Sequence, residues 1–247
     1  MTTKMPQPKA PHVAPRTSKT LWNHRVDIVI VVLLGLSSVL ATWAGYQAGQ
    51  WSGLKAESGV IVEDLQQAAD RATILGYQDR QVDIAIFMAW LEAYKHDDAV
   101  LAAFYEARFV PHFRPAFDAW MATDPFTAPD APLDPFRMGE YVVPSLRAAD
   151  TFNAHAAEVS AAGQEFKRQA DAYIFLTVLT AVVLFIGGVT TKIEMRQAQI
   201  ALLAMASLLL TFCIVRGLTL PKAGTVFPPT AEIVTLDAAI AAGTPTP

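Results

Sequence analysis

Proline is missing from two long stretches, 16–110 and 145–220, although the 247-residue chain holds sixteen prolines. They fall in three clusters: Pro6 to Pro15, Pro111 to Pro144 and Pro221 to Pro247. Proline removes a backbone donor and clashes with the preceding turn, so its absence permits long helices and its clusters mark where helices stop. Charge is scarce too. Only 17% of residues are Asp, Glu, Lys or Arg, against about 25% in a soluble domain, which favours a membrane class. Cys213 is the single cysteine, which excludes a disulfide framework and reads as a small apolar packing residue. The chain has no G-x-S-x-G, H-E-x-x-H, P-loop or C-x-x-C motif. The reading is therefore a non-enzyme without cofactor or metal, and without a nucleic-acid partner.

Three apolar runs fill the proline-free stretches: 28–45, 172–189 and about 199–215, the last continuing beyond Arg216. Each is near the length a helix needs to cross about 30 Å of hydrocarbon, and in lipid the backbone must satisfy its own hydrogen bonds. The expectation is an all-α integral membrane protein with transmembrane helices at 26–46, 172–190 and 199–219. The first run also has the charged flank of a signal peptide. Its core exceeds the usual 7–15 residues and no Ala-x-Ala site follows, so it reads as an anchor.

Charge sets an expected orientation. Lys4, Lys9, Arg16, Lys19 and Arg25 precede Val26 without an acid, and Lys192 and Arg196 lie between the second and third runs. The positive-inside rule places both segments in the cytoplasm. Segment 50–171 carries ten cations and nineteen acids, a net charge of −9. The expected organisation is a disordered basic cytoplasmic tail at 1–25, an extracytoplasmic helical domain at 47–171, a cytoplasmic loop at 191–198 and a disordered external tail at 220–247. The expected location is the bacterial inner membrane, multi-pass, with the N-terminus cytoplasmic and the C-terminus external.

Within 47–171 the periodicity predicts an antiparallel helical bundle. Ile61, Leu65, Ala68, Ala72, Leu75, Asp79, Val82, Ile86, Ala89 and Ala93 recur at 4-3 spacing, a coiled-coil seam broken only at Asp79. Gly76 is a candidate kink. The return arm repeats the pattern at Ala149, Phe152, Ala156, Val159, Gly163, Phe166, Ala170 and Tyr173. Shorter helices are expected over 97–109 and 112–122, the first capped by Asp97 or Asp98, with a proline-rich distal loop at 123–144.

Two features are candidates for function. Ser37, Ala41, Gly45, Gly49 and Gly53 fall at four-residue steps, with Ala44, Ala48, Ser52 and Ala56 beside them. Such stripes let membrane helices approach closely, either against the other spans or against a second copy. Nine aromatics crowd residues 104–141. They read as a core closing the distal end; the alternative is an exposed partner patch of Phe113, Phe117, Trp120, Phe126 and Phe136. Weaker candidates are the pair His155 and Glu158 for a metal, and Asp124, Asp130 and Asp134, which lack the EF-hand pattern. A pore would need polar lining, and the spans offer only hydroxyls such as Ser37, Thr42, Thr177 and Thr211.

The runs Trp43-Ala-Gly-Tyr46-Gln47-Ala, Trp51-Ser-Gly53 and Phe113-Arg-Pro-Ala-Phe117-Asp-Ala-Trp120, leading to Thr123-Asp-Pro-Phe126, resemble a family of uncharacterised bacterial three-span membrane proteins with an external helical domain. That resemblance spans roughly 30–190 and implies no activity and no site residues. The architecture is also similar to the input half of bacterial chemoreceptors, with a third span where their output half would be. The sequence therefore reads as an interaction, sensing or assembly module set in the lipid bilayer, with a protein partner or self-association. The alternative is a subunit of an oligomeric channel or transport complex.

Overall fold

Long helices dominate because nothing in the proline-free stretches interrupts the backbone ladder. The computed structural model describes residues 17–193 and 195–225. Five helices follow in order: α1 (Thr17–Lys95), α2 (Ala99–Glu106), α3 (Arg114–Met121), α4 (Pro144–Thr190) and α5 (Arg196–Thr219). Single 3-10 turns lie at Pro135–Arg137 and Ala223–Thr225, and no strand occurs among the described residues. α1 begins at Thr17, inside the segment expected to be a disordered tail; the rest of that tail, and most of the expected tail 220–247, lie outside the described residues. Three helices are long and apolar enough to cross a membrane: α1, α4 and α5.

The chain divides into two compact units. Among the described residues, the apolar unit takes 17–51 and Arg168–Thr225, and the polar unit Ser52–Lys167.

In the apolar unit, Leu33, Val183, Ala206 and Leu210 form the core, with Leu40, Ile186 and Leu209 against them. Glycine gives close approach at two points. A Cβ at Gly187 would lie 2.8 Å from Leu34 Cδ2, and one at Gly217 would lie 3.1 Å from Trp43 Cζ3. Hydroxyls are satisfied locally: Ser37 donates to the Leu33 carbonyl at 2.7 Å and Thr190 to that of Ile186 at 2.7 Å. The segment after α5 is strapped down by two bonds. Tyr173 Oη donates to the Pro221 carbonyl at 3.1 Å, and the Ala223 N–H donates to Gln47 Oε1 at 3.1 Å. The outer surface stays apolar, with Val31, Val39, Phe185, Leu208 and Leu218 each about two-thirds or more exposed. In water that exposure would be a large penalty at about 25 cal/mol per Å²; in hydrocarbon it is the favourable state.

In the polar unit, α1 and α4 form the arms. Leu65, Ala69, Phe152, Ala156 and Val159 pack between them. Every residue of the return-arm seam, Ala149 to Tyr173 as predicted, is buried. The α1 seam is displaced. Its buried line runs through Leu65, Ala69, Gly76, Asp83, Phe87, Trp90 and Ala93, while Leu75 and Val82 point outward. α1 is assigned as helix through Gly76, which receives Leu146, whose Cδ2 would lie 2.6 Å from a Cβ at that position.

α1 ends in a Schellman motif with aspartate in the place usual for glycine. Asp97 is left-handed at φ 56, its N–H reaches Tyr94 O at 3.2 Å, and the Asp98 N–H reaches Ala93 O at 3.0 Å. Asp98 then caps α2, its carboxylate accepting from the Leu101 N–H at 3.0 Å. Arg114 ties α2 to α3 through Glu106 at 3.0 Å and Asp118 at 3.1 Å.

These contacts separate the glycines into two kinds. Gly76→Ala should lower stability by about 1–3 kcal/mol through overpacking against Leu146. Gly53→Ala, where a Cβ meets nothing within 4 Å, should raise it by up to about 1 kcal/mol from helix propensity. Thermal unfolding of the full chain in detergent reads both.

Candidate functional site

The distal end of the polar unit is built on Phe87. Its ring lies 5.4 to 6.2 Å from those of Trp90, Phe113, Trp120 and Phe136. Trp90 also meets Phe117 edge-on at 4.7 Å, a geometry in which a positive ring edge faces a negative ring face. Phe113, Phe117 and Trp120 are 1–3% exposed, and the Trp120 Nε1–H donates to the Pro132 carbonyl at 2.7 Å. This makes them core residues rather than a partner patch. Phe136 is half-buried in the same cluster. Of the five patch candidates only Phe126 is exposed, and it stacks on Tyr94 at 4.8 Å. The physical reason lies in α1, whose Phe87 and Trp90 supply the apolar floor on which α3 closes.

Beside these rings lies a buried carboxylate. Asp83 is 2% exposed, and its Oδ2 accepts from His112 Nε2 at 2.8 Å and from Tyr141 Oη at 2.9 Å. With Asp83 as a carboxylate, both contacts are donations to Oδ2 and the His112 proton lies on Nε2. The three residues come from α1, from the turn between α2 and α3, and from the loop before α4. One turn earlier on α1, Asp79 Oδ2 accepts from the Ser145 hydroxyl at 2.9 Å. Burial, together with the hydrogen bond to Asp83, pushes the Tyr141 phenol well above its ordinary value of 10.0. It therefore remains a neutral donor throughout the physiological range. The arrangement has the parts of a proton-holding dyad, and it satisfies a carboxyl group taken out of water with partners from two other segments.

Sequence reasoning placed the polar break at Asp79 and missed Asp83. The signal for Asp83 is the 3-4 line through Gly76, Asp79 and Asp83, which the more apolar Leu75 and Val82 mask.

In the other candidate, Ser37 is buried and Ala41 half-buried, but Gly45, Gly49 and Gly53 are exposed, with open space around each. Intramolecular packing uses the neighbouring Ala44 and Ala48 instead. His155 Nδ1 and Glu158 Oε2 are 3.9 Å apart on exposed surface, and no group of three or more His, Cys, Asp or Glu with metal-site geometry occurs among the described residues. No protein-family model, curated protein or solved structure matches the chain.

Removing one donor to Asp83 should cost about 1–3 kcal/mol, the usual penalty for leaving a buried polar group short of a partner. His112→Ala and Tyr141→Phe should each do so, and because they share Oδ2 their effects should be non-additive in a double-mutant cycle. Tyr141 also sets an alkaline limit. Its folded pKa is raised, so its contribution is complete below pH 10 and is lost as the pH rises beyond it. Denaturation followed from pH 7 to 12 should show an alkaline decline in the parent that is reduced in Tyr141→Phe.

Proposed function

We propose that this chain is a non-enzymatic multi-pass membrane protein whose polar helical unit serves assembly, and that its partner is a second copy of the same chain. The supporting observation is an outward strip on α1. Ile74, Gln78, Gln81, Ala85 and Met88 follow at four- and three-residue steps and are all exposed. Leu75, Tyr77 and Val82 flank them, each more than half exposed. Residues 72–91 contain three charges; Asp83 is buried and Asp79 half-buried, which leaves Arg80 as the only exposed one.

A second copy fits this strip better than an unrelated partner. The spacing is that of a coiled-coil seam, and copies in one bilayer share one orientation, so identical strips meet in parallel. A glutamine amide both donates and accepts; Gln78 and Gln81 can therefore pair with their own counterparts, as a charged residue could not. Toward the apolar unit the line meets Glu63 and Asp70–Arg71, which would confine tight pairing to the 74–88 region.

The cytoplasmic N-terminus and the bacterial inner membrane are part of this proposal, supported by the cations Lys192 and Arg196 between α4 and α5. A channel role gains nothing from the span hydroxyls. Thr42, Thr177 and Thr211 donate to their own helix at the Ser38, Tyr173 and Ser207 carbonyls.

Cysteine cross-linking in membranes tests the pairing. In a Cys213→Ala background, Gln78→Cys and Ala85→Cys should each give disulfide-linked dimers on mild oxidation. Gln66→Cys, exposed on a different face of α1, should remain monomeric. Equal cross-linking at all three, or none at any, sinks the second-copy reading.

A further inference from the structure

In the polar unit α1 and α4 leave an open cleft of about 170 Å³ between them, with Lys55, Gly59 and Val62 in one wall and Ser160, Gly163 and Lys167 in the other. Its lining is overwhelmingly carbon. Two glycines shape it. A Cβ at Gly59 would meet nothing within 4 Å, so the α1 wall stands back, while a Cβ at Gly163 would lie 3.2 Å from Ser58 Cβ, so the floor is narrow. The Ser58 hydroxyl is turned to the Leu54 carbonyl at 2.9 Å, which removes one polar group from that floor. An apolar cavity of about 150 Å³ accepts a group the size of benzene. The cleft therefore suits an aliphatic side chain rather than an ion.

The chain supplies such side chains close by. The strap after α5 is held on the same two helices, by Tyr173 of α4 and Gln47 of α1, and the described residues end there at Thr225. Gln47 precedes Lys55 by eight residues, about 12 Å of helix, and residues 225–230 extended span up to about 17 Å. Beyond them Ile233, Leu236 and Ile240 recur at three- and four-residue steps, the spacing of one helix face. Thr230 is a residue type that starts helices and Gly243 one that ends them, with Pro228 and Pro229 before and Pro245 after. Glu232 and Asp237 are the only charges in 226–247. At about 100° per residue they fall on opposite flanks of the apolar line, and the cleft has one lysine in each wall.

We propose that residues 230–242 form a helix that docks on this cleft and seats its Leu236–Ile240 edge there. A tethered segment acts at an effective concentration in the millimolar range, so burial of one or two aliphatic side chains holds it. A second copy would have to meet the cleft without that advantage, and a lipid tail would have to leave hydrocarbon to enter the polar unit. The segment is poor in large apolar residues and orders on contact, as such segments do. The proposal does not rest on self-association, whose strip at 74–88 occupies other positions of α1.

The test is the rate at which N-ethylmaleimide labels single cysteines in the full chain in detergent, in a Cys213→Ala background. Gly59→Cys probes the α1 wall, where a side chain has open space, and Ser160→Cys probes the α4 wall with a near-isosteric change. Each is made with the natural tail and with the tail variant Leu236→Gln, Ile240→Gln. Both probes should label about tenfold more slowly with the natural tail, the ratio expected when burial of one aliphatic side chain holds the segment down. Lys95→Cys, exposed at the far end of α1, should label equally with either tail. Equal labelling of Ser160→Cys with the two tails would overturn the proposal. If that equal rate is slow and rises on dilution, a second copy covers the cleft; if it is slow at every dilution, lipid or detergent does; if it is fast, the cleft is uncovered.

Discussion

Everything else rests on the inward line of α4. The buried residues of this helix are Ala149, Phe152, Ala156, Val159, Gly163, Phe166, Ala170, Tyr173, Leu176, Thr180, Val183, Gly187 and Thr190, and no other residue of α4 is buried. Each step is three or four residues, the spacing that keeps one face toward a partner. Glycines at Gly163 and Gly187 let that partner come close, and the aromatics Phe152, Phe166 and Tyr173 are buried on the same line. In the polar unit this line makes one wall of the core with Leu65 and Ala69. In the apolar unit Val183 contributes to the core with Leu33, Ala206 and Leu210.

Against that regular line, Asp83 is the exception. It occupies a position on α1 where a leucine would satisfy the spacing and where an isolated charge would be costly. Its compensation is specific, since the donors come from segments far away in sequence, His112 and Tyr141. Aromatic pairs prefer edge-on or offset geometries, yet more than one arrangement of rings such as Phe113 and Phe136 can meet that preference. A carboxylate with one oxygen committed to two donors removes that freedom. It ties the α2–α3 turn and the loop before α4 to one point on α1, and the rings then pack around a fixed frame.

The sequence showed some of these features and concealed others for physical reasons. The α4 seam was legible because its core positions are Ala, Phe, Val, Gly and Tyr among polar neighbours, so hydropathy and burial share one phase. On α1 they disagree. Leu75 and Val82 are apolar and exposed, while Gly76 and Asp83 are buried; ranking by hydropathy therefore selects a line about one residue out of register. The small-residue stripe departs at its glycines, and in its internal-packing reading only. Four-residue spacing shows that Gly45, Gly49 and Gly53 share a face, but not which way that face points; the glycines that admit a neighbouring chain segment are Gly76, Gly163, Gly187 and Gly217. The tip aromatics were legible as a core, whereas the link from Asp83 to His112 and Tyr141 spans 29 and 58 residues and leaves no local pattern.

Exposed apolar side chains occur in both units, and their surroundings decide what they mean. In the apolar unit, Val31, Val39, Phe185 and Leu208 lie on helices long and apolar enough to cross a membrane, and hydrocarbon would be a favourable setting for them. Lipid cannot account for Ile74, Leu75, Val82 and Met88 in the same way. They alternate with Gln78 and Gln81, and their helix carries Glu63, Asp64, Asp70 and Arg71 on one side and Glu92 and Lys95 on the other, charges that require water. An uncharged face bounded by charge at both ends is apolar enough to gain from being covered and polar enough to be unsuited to hydrocarbon. A helix of matching composition satisfies both conditions, and α1 itself has that composition.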